Sequence, residues 1–78
     1  MRQIEGLYFK VVGNASNPYR KVVKVHGETC TVAYPVGWPG KNWDGTISHV
    51  RIDDMIRCID SGAYKVISKL EGMVKVGI

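Results

Sequence analysis

Tyr19-Arg-Lys-Val-Val-Lys-Val-His-Gly-Glu-Thr-Cys-Thr-Val-Ala-Tyr34 decides how this chain folds. Two runs rich in Val, Thr and Tyr flank His26-Gly27-Glu28, the pattern of a β-hairpin. Side chains alternate along a strand, so the turn sets which residues share a face. A two-residue turn at His26-Gly27 or at Gly27-Glu28 puts Val23 and Val25 with Cys30, Val32 and Tyr34. The opposite face then carries Arg20, Lys24, Thr29 and Thr31. This apolar-against-polar split suits a half-buried sheet, and a three-residue loop would spoil it by setting Lys24 and His26 beside Cys30 and Val32. Lys21 is the misfit, falling on the inner face near the open end, where its stem would run past Tyr34 to water.

Working outward, Gly6–Val12 reads as a first strand and the Asn/Ser/Pro-rich stretch 13–18 as a loop. Pro35 ends the hairpin. Val36-Gly-Trp-Pro-Gly-Lys-Asn-Trp-Asp-Gly45 follows, with both tryptophans of the protein and no periodicity. It is a long loop for so small a domain, and such loops are often functional. Thr46–Ile52 reads as a strand. Ile52, Met55, Ile56 and Ile59 form one helical stripe, predicting a helix over 53–61. Asp53 and Asp54 suit its N-cap and Gly62 its C′ position. Tyr64–Ser68 and Met73–Val76 read as strands joined by a Glu71-Gly72 turn.

The 78 residues fit one domain, 1–78, with a single small core. The expected class is mainly β with one short helix: an antiparallel barrel of five to six short strands. Its order, with a helical segment before the final strands, is similar to SH3-like barrels over roughly residues 6–68. Leu7-Tyr8 resembles the aromatic early strand of true SH3 domains. The acidic loop and paired aromatics of their peptide site are missing, so proline-rich peptide binding is not implied. The compact, motif-poor form also resembles small bacteriophage accessory proteins.

The formal charge is +4. Residues 1–35 hold Arg2, Lys10, Arg20, Lys21 and Lys24 against Glu5 and Glu28. A secretory leader and an apolar run of membrane-span length are both missing from the sequence, so a cytoplasmic protein with reduced cysteines and no membrane partner is expected. His26, Cys30, His49 and Cys58 lack the short spacing of a zinc site. No phosphate loop, carboxylate pair or nucleophile–base set is present, so neither an enzyme nor a metal or other cofactor is expected.

Binding is the expected function. Trp38, Lys41 and Trp43 form an aromatic–basic loop, and Tyr19, Arg20, Lys21 and Lys24 form a basic strand face. Tryptophans anchor protein interfaces, which favours a protein-binding inhibitor or adaptor of phage accessory type, acting on a nucleic-acid-handling or defence protein. The alternative is an RNA- or DNA-binding domain in which the same residues meet phosphates and stack on bases. Homo-oligomerisation through an exposed sheet edge is a further expectation.

Overall fold

The computed structural model describes residues 3–35 and 48–77. Five strands and two helices follow one another as β1 (Tyr8–Val11), β2 (Tyr19–His26), β3 (Thr29–Ala33), β4 (Ser48–Arg51), α1 (Ile52–Ser61), β5 (Tyr64–Ile67) and α2 (Lys69–Val76). All pairings are antiparallel, in the order β4-β3-β2-β1-β5. The sheet curls into a half-barrel within a small mixed β+α protein. β4 and β5 are its edges.

The hairpin closes as a two-residue turn. His26 pairs with Thr29 across Gly27-Glu28, one of the two turns expected. Gly27 has φ 61°, and among the described residues no non-glycine has positive φ. A positive φ at the first central position alone is the demand of a type II′ turn, and glycine meets it without steric cost.

The faces of β2 differ from expectation, and the cause is a bulge between Val22 and Lys24. The extra residue shifts the alternation by one position partway along the strand. Val25 still faces inward, opposite Cys30, but Val22 rather than Val23 lies opposite Val32. Val22 is 0% exposed and Val23 38%. Arg20, expected outside beside Lys24, shares the inner face with Val22 and is buried. Lys21 leaves the inner face for the outer one, so the misfit disappears. Thr31 is on the outer face as expected, but it is buried, its hydroxyl 3.3 Å from His49 Nδ1.

A helix covers each side of the sheet. On the inner face, Phe9, Val22, Cys30 and Val32 pack with Ile4 and with Ile52 and Met55 of α1. The expected stripe is there: Ile52 and Met55 are buried, Ile56 and Ile59 half-buried. Gly62 closes α1 at φ 88°, its N–H donating to the Ile59 carbonyl at 3.2 Å. The N-cap is Arg51, with no side-chain cap; Asp53 and Asp54 follow Ile52 inside the first turn, where the helix dipole favours carboxylates.

The second helix overturns the expected strand at Met73–Val76, so the described residues form two helices and five strands. Ser68 caps α2, its Oγ accepting from the Glu71 N–H at 3.1 Å. Gly77 ends it with φ 91°. Gly72 sits mid-helix, where it weakens helix propensity by about 1 kcal/mol, yet it is buried against the Tyr8 ring on the outer face. Tyr8 and Phe9 are neighbours in β1, so they point to opposite faces and anchor the two helices separately.

Candidate functional site

The pairing of β1 with both β2 and β5 collects lysines that are distant in sequence. Lys10 lies opposite Tyr19 on one side and Lys65 on the other. Lys21 lies opposite Tyr8, and Lys24 opposite Thr31. Residues directly opposite share a face, so Lys10, Lys21, Lys24, Lys65 and Tyr19 all belong to the outer face. α2 brings Lys75 to the same side.

Two of these cations are held over aromatic rings. Lys75 Nζ is 5.6 Å from the Tyr19 ring centroid and Lys21 Nζ 5.1 Å from that of Tyr8. Both lie within cation–π range. Lys10, Tyr19 and Lys75 line an open groove of about 550 Å³ with Asn14, Asn17 and Pro35. Its far wall is ordered locally: Asn14 Oδ1 accepts from the Asn17 N–H at 3.1 Å and from Ser16 Oγ at 3.2 Å. Such bonds from the side chain to nearby backbone are why asparagine is common in loops.

α2 borders the groove and turns an apolar stripe to water. Leu70 is 76% exposed, Met73 47% and Val74 73%. Lys69 and Lys75 flank the stripe along the helix.

Of the residues singled out by sequence, Tyr19, Lys21 and Lys24 are brought together on this face. Arg20 is not: its guanidinium lies on the inner face, 4.0 Å from the Tyr34 ring centroid. Trp38, Lys41 and Trp43 lie outside the described residues. Lys10, Lys65, Lys75 and the Leu70–Val74 stripe were missed. The lysines are scattered singly and need the β1–β5 pairing to converge. The stripe had a readable signal, since Ser68-x-x-Glu71 is the capping-box pattern of a helix start.

Among the described residues, His49 and Cys58 lie on opposite sides of the sheet. His49 is on the outer face of β4, its Nδ1 3.3 Å from the Thr31 hydroxyl, whereas Cys58 is on α1, which covers the inner face. Burial pushes the Cys30 thiol above its ordinary value of 9.0. It also pushes Tyr64 above 10.0, helped by Cys58 and partly opposed by Arg20. A group with a raised folded-state pKa contributes stability that is complete below its unfolded value and lost as pH rises through the folded one. The denaturation midpoint is therefore expected to hold between neutral pH and 9.0 and to fall above it. Cys30→Ala should delay the onset toward 10.0, the ordinary value of Tyr64. Urea midpoints measured across this range check both statements; an unchanged onset in Cys30→Ala would count against the thiol.

No known protein family, curated protein or solved structure matches this chain. Among the described residues no helix is long and apolar enough to cross a membrane.

Proposed function

We propose that the chain is a non-catalytic binding module that docks its outer face on an acidic surface of another protein, as an inhibitor or adaptor does. One observation carries this reading: Leu70, Met73 and Val74 are exposed on α2 in a frame of lysines. Apolar side chains gain nothing from phosphates, but they form the desolvated centre of a protein interface, with charge at its rim. The stripe spans positions i, i+3 and i+4 of one helix face, the spacing by which a helix engages a partner. The lysine frame selects an acidic partner and disfavours a second copy of this basic chain. Trp38 and Trp43 remain the proposed aromatic anchors of the same activity. We also read the half-barrel as SH3-like: a helix precedes the final strand, and that strand returns to β1.

The test is capture from nuclease-treated extract with the wild-type chain and the Leu70→Asp/Val74→Asp variant. A stoichiometric protein should be retained by the wild type and lost by the variant. Both positions are exposed, so the melting temperature should stay within a few degrees. Retention of the same protein by the folded variant would remove α2 from the interface.

The groove of Lys10, Tyr19 and Lys75 supports nucleic-acid binding as a second reading. That reading requires affinity for a single-stranded oligonucleotide to fall steeply with salt, in proportion to the phosphates neutralised. Anisotropy titrations at two ionic strengths separate it from the first.

A further inference from the structure

The opposite side of the sheet holds a cleft that docking through α2 does not use. It occupies about 200 Å³ between the inner face and α1, and its walls include Phe9, Arg20, Tyr34, Val50, Met55 and Tyr64. We propose that this cleft binds a carboxylate, with Arg20 as the cationic anchor, and that the ligand is a small acid with an aromatic or branched aliphatic body.

Arg20 is 8% exposed. Its position is fixed before any ligand arrives. Nη1 donates to the carbonyl oxygens of Asn17 and Tyr19, and the guanidinium carbon lies 4.0 Å from the Tyr34 ring centroid. Those oxygens are dipoles without formal charge. Among the described residues no carboxylate pairs with Arg20; Asp53 and Asp54 pair instead with Arg51 and Arg57 at the surface. A guanidinium taken out of water without a counter-ion is unfavourable, and the cost is recovered when an anion pairs with it in good geometry.

The walls define the ligand further. A guanidinium presents a planar fork of donors that matches a carboxylate in bidentate geometry. Arg20 is the one cation lining the cleft among the described residues. A phosphate dianion would therefore enter under-neutralised, whereas a carboxylate would be matched. The remaining walls are apolar or aromatic, apart from the tyrosine hydroxyls, and favour an apolar body on the acid. Two sources share this chemistry: a free organic acid and the C-terminal carboxylate of a polypeptide ending in an apolar residue.

Titration of the intact ¹⁵N-labelled chain with sodium benzoate and with benzamide, read by amide chemical shifts, tests the proposal. Benzoate should give saturable shifts at Tyr34, Val50 and Tyr64 and leave Leu70 and Val74 on the far side unmoved. Benzamide has the same body without the charge and should bind roughly tenfold to hundredfold more weakly, the range for losing a charge-assisted hydrogen bond. Arg20→Gln should abolish the benzoate response while amide dispersion persists. If Arg20→Gln does not fold, the benzoate-to-benzamide ratio in the wild type decides. Glycyl-phenylalanine and its C-terminal amide distinguish the sources: tighter binding of the free dipeptide than of benzoate assigns a polypeptide C-terminus, and weaker binding a free acid. Equal affinity for benzoate and benzamide, shifts that do not converge on the cleft, or a benzoate response that survives in folded Arg20→Gln would overturn the proposal.

Discussion

Gly72→Val is expected to destabilise the protein by about 3 kcal/mol or more, the upper range for forced overpacking. A side chain at Gly72 would begin inside the space of Tyr8, at its Cβ, Cγ and Cδ1. These atoms stand next to the backbone of β1, so the ring cannot swing away without moving the strand. β1 in turn is held between β2 and β5. Helix propensity would ordinarily improve when a glycine is replaced, by several tenths of a kcal/mol for a β-branched residue. The steric conflict is larger and opposite in sign, so destabilisation is the expected outcome. Urea unfolding of Gly72→Val, Tyr8→Ala and the double variant forms the decisive cycle. The double variant should be less destabilised than the sum of its parts, with a coupling on the order of 1–3 kcal/mol. Strict additivity would mean that α2 does not rest on Tyr8.

Phe9→Ala is expected to cost about 3–5 kcal/mol, the usual loss for truncating a buried phenylalanine. Phe9 is buried, and its ring centroid lies 4.8 Å from that of Tyr64. It is also the β1 residue that meets the α1-side core. For a domain of this length the whole stability is on the order of 4–12 kcal/mol, so one substitution removes a large share. The melting temperature should fall by roughly 15–30 °C. Two valines of β2 provide the internal comparison. Val22→Ala should be clearly destabilising, and Val23→Ala should stay within about 0.5 kcal/mol. A regular hairpin without the bulge demands the reverse order, so calorimetry on the pair tests the register directly.

That register marks the limit of what was legible. The hairpin, its glycine turn and the stripe of α1 could be read because each is a local pattern. The bulge could not. Val22 and Val23 are identical side chains in adjacent positions, and no glycine marks the extra residue. What distinguishes them is the layer each meets, and the outer layer depends on α2. Arg20 was placed outside because an unbroken alternation from the turn puts it on the face of Lys24; its burial rests on Tyr34 and the carbonyls of Asn17 and Tyr19, which only the folded chain supplies. Gly72 was taken for a turn residue because glycine usually interrupts a helix. Here it is what allows the helix to approach Tyr8, and Ser68 with Glu71 was the local signal that outweighed it. The lysine face failed to emerge for a different reason. Lys10, Lys65 and Lys75 carry no shared motif; strand order brings Lys10 and Lys65 together, and the packing of α2 adds Lys75.

The same strand order has a kinetic side. The β2–β3 hairpin is local and of a kind that forms in about 1–10 μs. The seam between β1 and β5 joins Tyr8 to Ile67. Its closure must follow the ordering of nearly everything between them, because a distant contact recovers its entropy only after the loop is shut. α2 is tied to β5 through the single residue Ser68 and reaches its place on Tyr8 with that late strand. Lys65, Lys75 and the apolar stripe thus join the lysines of β1 and β2 late in folding. An incompletely folded chain lacks the proposed docking face, and a partner that required it would meet only finished molecules.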